Sequence, residues 1–169
     1  MKHLSVFRHA KAENINGFPT DFARPLTSRG QKDAHHMGKL LANVEPTIDW
    51  ISASPSQRTR ETTEAVLKAF NHKPAVIWQD AIYEAEAETL LAVLAEIPEE
   101  MEHVLIIGHN PGMAELISGL VAGSPTRMGI HLSTAGLAHL TLEIYSWNQI
   151  RWGCGTLHSL LRPKLLREK

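Results

Sequence analysis

Two histidines in this 169-residue chain follow short apolar runs and could do acid–base or nucleophilic chemistry. Leu4–Phe7 is followed by Arg8 and His9, and His103–Ile107 is followed, after one glycine, by His109. Short runs rich in β-branched and aliphatic residues predict buried strands. Both histidines are therefore expected just beyond the carboxyl ends of strands.

A further arginine follows a third predicted strand, Trp50–Ala53. The next residues, Ser54-Pro55, are typical of a helix start, with a hydroxyl that caps and a proline in the first turn. Arg58 would then lie in the first turn of a helix that runs to about Phe70. Because the N-terminus of a helix favours anions, this arginine is placed to hold one.

Two arginines beside two histidines indicate a pocket for a tetrahedral oxyanion such as phosphate, since guanidinium groups bind phosphate oxygens in pairs. A metal centre is disfavoured at this site, although the chain has 10 histidines. No HxH or HExxH spacing occurs, and the arginines would repel a cation. A nucleophilic serine is also disfavoured, because no GxSxG motif is present and helix capping explains Ser54.

Strands and helices alternate along most of the chain, which predicts an α/β fold: a three-layer αβα sandwich around a mostly parallel sheet with an antiparallel edge. Ligands of such folds bind beyond the carboxyl ends of the strands. The predicted strands are Leu4–Phe7, Trp50–Ala53, Ala75–Trp78, His103–Ile107, Gly136–Leu142 and Gln149–Gly153. The predicted helices are Thr27–Val44, Ser54–Phe70, Glu88–Ile97 and Asn110–Val121, the last capped by Asn110.

Composition limits the possible partners and compartments. The formal charge of −1 predicts neither nucleic acid nor an acidic membrane surface as a partner. A single cysteine excludes an internal disulfide and favours the cytoplasm, and no apolar run suits a signal peptide or a bilayer span. We expect one domain over residues 1–169, with a basic C-terminal tail over residues 156–169. The leucines of this tail are expected to dock on the body, and contact with a partner is the alternative.

The ordered motifs carry a family resemblance. The chain resembles the histidine phosphatase (phosphoglycerate mutase-like) superfamily over at least residues 4–120. Within it, the chain is most similar to SixA-type phosphohistidine phosphatases. The motifs are Arg8-His9, Ser54-Pro55-x-x-Arg58 with Thr62, Gly108-His109-Asn110-Pro111-Gly112 and Arg24-Pro25-Leu26-Thr27-x-x-Gly30. One departure is Ala10, where the family has glycine, and alanine suits that position only if φ is negative.

The resemblance implies a phosphoglycerate mutase-like fold and catalysis without metal or other cofactor. It implies that His9 is the nucleophile that takes the phosphoryl group, while Arg8, Arg58 and His109 hold its oxygens. His9 must attack as a neutral imidazole, so one ring nitrogen should be free and the other held, for which a backbone carbonyl of the following loop is the expected partner.

Two further site residues stay open at this stage. The general acid of the superfamily is expected near Tyr83, where Glu84 is the first candidate and Glu86 the second. A solvated acidic loop without a catalytic role is the alternative. Arg24 is expected either to contact phosphate or to form an ion pair that holds the loop over the site.

The short connection between Arg58 and Glu84 leaves no room for a large lid and predicts an open site. An open site suits a phosphorylated protein, notably phosphohistidine, as the SixA resemblance implies. A small phosphate ester is the alternative substrate, a mutase is disfavoured, and a non-catalytic phosphate-binding module is the alternative from another class.

We expect ordinary structural roles for the remaining histidines, which include His3, His103 and His139. The neighbours His35 and His36 point about 100° apart on a helix.

Overall fold

Six strands form one sheet in the computed structural model, which describes residues 1–45 and 47–166. The strands are β1 (Lys2–Arg8), β2 (Trp50–Ala53), β3 (Ala75–Trp78), β4 (His103–Gly108), β5 (Leu137–Leu142) and β6 (Gly155–Leu161). Their order in the sheet is β3-β2-β4-β1-β5-β6. The first four pair in parallel, whereas β5 is antiparallel to β1 and β6 to β5. The predicted mostly parallel sheet with an antiparallel edge is confirmed.

Four α-helices cover the sheet: α1 (Ser28–Val44), α2 (Gln57–Leu67), α3 (Ala87–Ala95) and α4 (Gly112–Ala122). Successive side chains of β1 point to opposite faces, as the strand period of two requires. Val6 packs with Leu116 of α4 in one buried cluster, whereas Phe7 packs with Met37 of α1 in the other. Helices therefore lie on both faces of the sheet, and the predicted three-layer sandwich is confirmed.

Two predicted helix caps are wrong. Helix α2 begins at Gln57 after Ser56, not at Ser54, because the Ser54 hydroxyl is hydrogen-bonded to the His109 ring instead. Helix α4 begins at Gly112 after Pro111, because the Asn110 side-chain amide donates to the carbonyl of Leu132 at 2.9 Å. Both side chains therefore form hydrogen bonds beyond the carboxyl ends of the strands and do not cap the helices. Thr27 caps α1, since its hydroxyl accepts from the Gly30 amide at 2.9 Å.

The predicted strand Gln149–Gly153 is also wrong, since the last strand is Gly155–Leu161. Trp147–Gln149 forms a 3-10 turn, closed by a capping box between Ser146 and Gln149. The apolar residues that suggested a strand, Ile150 and Trp152, instead pack from a loop against the buried cluster beneath α3 and α4. This packing accounts for the apolar residues of the segment, although the segment forms no strand.

The predicted basic tail therefore begins as an edge strand. Leu157 packs against the buried cluster on one face of the sheet and Leu161 against the cluster on the other, whereas Leu165 is exposed. Residues 167–169 of that tail lie outside the described part of the chain. Within the described ranges, no helix has both the length and the apolar character needed to cross a membrane.

Candidate active site

The carboxyl ends of β1 and β4 bring two histidines together. Arg8 pairs with Gly108 in the parallel ladder, and the next residue of each strand is a histidine. The His9 amide donates to the Gly108 carbonyl at 3.0 Å, which continues the ladder by one residue. The His9 and His109 ring centroids lie 5.1 Å apart. Because β2 lies on the other side of β4, α2 delivers Arg58 to the same edge.

A cleft of about 250 Å³ opens at this edge. Six of its lining residues are those that the sequence analysis singled out: Arg8, His9, Arg24, Arg58, Glu84 and His109. Lys11, Ala12, Asn110 and Thr134 complete the lining. Glu86 is not among the lining residues and instead precedes the first residue of α3. Three guanidinium groups and one ammonium group around a small cleft favour an anionic ligand and repel a divalent cation.

His9 is held as a neutral ring with one free nitrogen. Its Nδ1 lies 2.8 Å from the Ala10 carbonyl oxygen. Because a carbonyl only accepts, Nδ1 carries the proton and Nε2 keeps its lone pair. Burial lowers the pKa of His9 to about 3, with the charges of His109, Arg58 and Arg8 acting in the same direction. At neutral pH, His9 therefore presents an uncharged Nε2 that can act as a nucleophile. Its Nδ1 is held by a backbone carbonyl of the following loop, as the sequence analysis expected.

His109 has the opposite tautomer. Arg58 Nη2 lies 3.3 Å from its Nδ1, and a guanidinium only donates, so Nδ1 accepts. The proton is then on Nε2, which donates to Ser54 Oγ at 2.8 Å. Burial, followed by the charge of Arg58, lowers the pKa of His109 to about 4. An anion in the cleft would favour the imidazolium form, and a protonated Nδ1 would then donate to that anion.

Asp21 orients Arg58 and was missed by the sequence analysis. Arg58 donates to the Asp21 carbonyl at 2.7 Å and to Asp21 Oδ2 at 2.9 Å. Tyr83 Oη donates to the same Oδ2 at 2.9 Å, and Arg24 Nη2 lies 2.7 Å from Oδ1. One carboxylate thus fixes two of the three arginines. One sequence signal for Asp21 was available: it precedes Arg24 by three residues in a loop rich in turn residues, a spacing that allows an ion pair.

Asp21 is ionised in this setting. Burial alone would raise the pKa of Asp21, but hydrogen bonds from Tyr83 and Arg58 and the charges of Arg58 and Arg24 hold it below its ordinary value. Its negative charge offsets part of the repulsion between the neighbouring guanidinium groups. Arg24 forms the ion pair that the sequence analysis considered for it and also lines the cleft.

Ala10 fits without backbone strain where the family has glycine. The described non-glycine residues with positive φ are Glu84 and Ala135, and Ala10 is not among them. Ala10 is fully buried, and its amide donates to Thr62 Oγ1 at 3.0 Å. Thr62 in turn donates to the Arg58 carbonyl at 2.7 Å. This chain of bonds fixes the loop after β1 to the first turn of α2.

The loop before β5 closes the remaining side of the cleft, and no motif of the sequence analysis identified it. The Leu132 carbonyl accepts from Arg8 Nη1 at 3.0 Å and from Asn110 Nδ2 at 2.9 Å. The same loop places Thr134 in the lining. Arg8 is thereby held against the loop before β5.

Glu84 stands at the mouth of the cleft in a strained conformation. Its φ is 49°, a left-handed value that is uncommon for residues other than glycine. Its side chain is exposed, so it remains accessible to a bound molecule and to water. Gly112, at the start of α4, permits the loop that carries Glu84 to approach closely, because a Cβ there would collide with the Ala85 carbonyl.

Comparison with known proteins supports one family. A family model for the histidine phosphatase superfamily (branch 1) matches residues 4–88. An uncharacterized protein of Mycobacterium leprae is 30% identical over 145 residues, which cover 80% of this chain and 86% of that protein.

Two solved structures are similar along nearly the whole chain. One is a protein from Nakamurella multipartitia, provisionally assigned as the phosphohistidine phosphatase SixA, with a TM-score of 0.83, 25% identity and 96% of each chain covered. The other, from Agrobacterium tumefaciens and provisionally assigned in the same way, has a TM-score of 0.79 and 28% identity. It covers 96% of this chain and 98% of its own. The phosphoglycerate mutase-like fold expected from the resemblance is thereby confirmed.

Asp21→Asn is expected to weaken oxyanion binding in the cleft. The variant keeps the size of the side chain but removes the charge that orients Arg58 and Arg24. Since a hydrogen bond between charged groups contributes roughly 1.5–3 kcal/mol, tungstate affinity should fall by about 10- to 100-fold, measured by calorimetry. Asp80→Asn removes the same charge from an exposed residue near Tyr83 and should bind as wild type does. Equal affinities of the two variants would contradict the role of Asp21.

Proposed function

The chain belongs to the histidine phosphatase superfamily (branch 1) and is a phosphatase, and we propose that it hydrolyses protein phosphohistidine through a covalent phosphoryl group on His9. The observation that carries the mechanism is the free, uncharged Nε2 of His9 in a cleft lined by three guanidinium groups. Such a nitrogen attacks phosphorus without first losing a proton. The arginines stabilise the charge on the phosphoryl oxygens, which is the main requirement of phosphoryl transfer.

The first step in this proposal is transfer to the enzyme. His9 Nε2 attacks phosphorus in line with the bond to the leaving group, and the P–N bond forms as the P–N or P–O bond of the substrate breaks. Arg8 and Arg58 hold equatorial oxygens. His109 donates from Nδ1 once the bound anion favours its protonated form. A leaving imidazole takes its proton from solvent or from Glu84, and a leaving alkoxide takes it from Glu84.

The second step releases phosphate. Water attacks the phosphoryl group on His9, the P–N bond breaks, and the lone pair returns to Nε2. Glu84, now a carboxylate, takes the proton of the attacking water and is ready for the next cycle. Arg24 is proposed as a further phosphate contact, since it lines the cleft while Asp21 and the Glu13 carbonyl hold its guanidinium. The ion pair and the phosphate contact are compatible, because a guanidinium has five donors.

Phosphohistidine on a protein is favoured by the access to His9. The cleft is small, at about 250 Å³, and the 25 residues between Arg58 and Glu84 form the rest of α2, β3 and a 3-10 turn. None of these elements folds over the site. Two structural neighbours with at least 25% identity carry SixA assignments, which supports the same substrate class. The cytoplasm is proposed as the compartment, on the argument from the single cysteine.

A small phosphate ester is the alternative substrate, and the lining of the cleft is the observation that favours it. Lys11, Asn110 and Thr134 add polar groups beside the predicted phosphate site. Such groups hold the non-phosphate part of a small ligand in many pockets. A cleft of about 250 Å³ holds a phosphoryl group and few further atoms.

Hydrolysis of two substrates tests the proposal. Wild type should release phosphate from a phosphohistidine protein with EDTA present, and His9→Ala should lose at least about 10³-fold in rate, because covalent catalysis requires the imidazole. His36→Ala, which removes an exposed histidine of α1, should retain wild-type rates. Cleavage of p-nitrophenyl phosphate alone would favour the small-ester alternative. Cleavage of neither would support a non-catalytic phosphate-binding module.

Glu84→Gln should separate substrates by leaving group. An alkyl phosphate needs an acid to protonate its leaving oxygen, so its hydrolysis should fall by about 10²- to 10⁴-fold. Phosphohistidine, whose leaving imidazole is readily protonated by solvent, should lose less than about 10-fold. Glu86→Gln, two residues away and outside the lining, serves as the matched control. Equal losses for both substrates, or a loss in the control as large as that in Glu84→Gln, would contradict the assignment of Glu84 as general acid.

A further inference from the structure

A second cluster of titratable side chains lies at the opposite end of the sheet from the cleft. His3 of β1 and His103 of β4 are direct partners in the parallel ladder, and their rings stack with centroids 4.5 Å apart. Glu45, the residue after α1, extends its carboxylate to both rings. The sequence analysis expected ordinary structural roles for these histidines, because residues 3, 45 and 103 form no local motif.

The polar atoms of this cluster converge without hydrogen-bond geometry. His103 Nδ1 lies 2.7 Å from Glu45 Oε1, and His3 Nδ1 lies 3.6 Å from Glu45 Oε2. Both Nδ1 atoms are buried, and neither has a hydrogen-bond partner with acceptable angles among the described residues. One ligand atom from each of the three residues lies within 4.8 Å of the other two. The two Nδ1 atoms and the carboxylate are thus close together, but the rings are nearly parallel, with an interplanar angle of 16°. The rings must therefore turn before their lone pairs, which lie in the ring planes, meet at one point.

We propose that His3, His103 and Glu45 bind one divalent transition-metal ion of the Zn²⁺ class. Two imidazole nitrogens and a carboxylate oxygen are a donor set that Zn²⁺ uses. Around a tetrahedral ion with bonds of about 2.0–2.1 Å, ligand atoms lie about 3.3 Å apart. The two Nδ1 atoms lie 2.7 and 3.6 Å from the carboxylate oxygens, which is near that value, and rotation of the stacked rings would complete the geometry. Both histidines remain partly exposed, with side-chain exposures of 32% and 25%, which gives the ion a path from solvent.

Neighbouring groups orient the proposed ligands. Thr47 Oγ1 donates to Glu45 Oε1 at 3.2 Å, which fixes the carboxylate as outer partners do in known metal sites. His139 of β5 places Nε2 3.5 Å from Glu45 Oε2, while its Nδ1 lies 3.4 Å from Ser5 Oγ. His139 or a water molecule can supply the fourth ligand.

The proposed role of the ion is structural. His3 lies in β1 and His9 directly follows that strand, six residues later, which corresponds to about 20 Å at 3.3 Å per residue. An ion at this distance takes no part in phosphoryl transfer. It would instead tie the end of α1, through Glu45, to the two central strands of the sheet. The proposal is therefore independent of the proposed function, and its test needs no activity measurement.

Zn²⁺ binding to the untagged full chain tests the site. Titration against a chromophoric chelator should show one ion per wild-type chain. The double variant H3Q/H103Q should lose at least about 100-fold in affinity, beyond the range typical of outer-shell changes. At about 100 times the Kd, Zn²⁺ should raise the Tm of wild type by about 5 °C or more and leave that of the variant unchanged.

Two matched double variants make the result decisive. H35Q/H36Q removes two neighbouring histidines from α1 and should bind Zn²⁺ as wild type does. H9Q/H109Q removes the histidines of the cleft and should also retain the ion. The single variant Glu45→Gln provides a ligand change that keeps both rings, and it should shift the visible absorption of bound Co²⁺. Wild-type affinity in H3Q/H103Q, or loss of the ion in H9Q/H109Q, would overturn the proposal.

Discussion

The parallel pairing of β1 with β4 is the constraint on which the rest of the site depends. Its register sets Arg8 opposite Gly108, so the two chains leave the sheet side by side with a histidine next on each. A slip of one residue would turn one of these side chains to the other face. Val6 and Ile106 lock the register from one face of the sheet, and Phe7 and Ile107 from the other, because all four are fully buried.

The charge around His9 and His109 is balanced by groups from distant parts of the chain. Three guanidinium groups line the cleft, yet both imidazoles stay neutral because burial disfavours their protonated forms. The Asp21 carboxylate compensates two of the arginines, and Asp21 fixes Arg58 through one hydrogen bond to its carboxylate and one to its main-chain carbonyl. The site is thus positive enough to attract an anion while His9, the proposed nucleophile, remains unprotonated. A bound anion would favour the protonated form of His109, whose Nδ1 would then become a donor.

Much of this arrangement was predictable from local sequence. Strand and helix patterns locate His9, Arg58 and His109 because each follows directly from the end of a strand or the start of a helix. Asp21, Tyr83 and the Leu132 carbonyl were missed because they reach the cleft from loops whose paths are set by tertiary contacts. Ser54 and Asn110 were misassigned as helix caps because their better hydrogen-bond partners are distant in sequence.

The two ends of the sheet illustrate the same limit. At the carboxyl end, motif residues adjacent in sequence signal the cleft. At the amino end, His3, His103 and Glu45 meet only because β1 and β4 are neighbours and α1 ends above them. The last strand was placed too early for a related reason. Ile150 and Trp152 are apolar because they pack against the core from a loop, and sequence alone does not distinguish that burial from burial in a strand.

The most direct test of the central claim is to trap the phosphoryl group on the enzyme. Wild-type protein mixed with a phosphohistidine protein at pH 6, where a pKa of about 3 leaves His9 unprotonated, is quenched within milliseconds in alkaline denaturant. It is then digested for mass spectrometry. The account predicts one acid-labile phosphoryl group, located on His9, that forms and decays at rates consistent with turnover. Turnover without a phosphorylated His9, or a phosphoryl group on another residue, would contradict it.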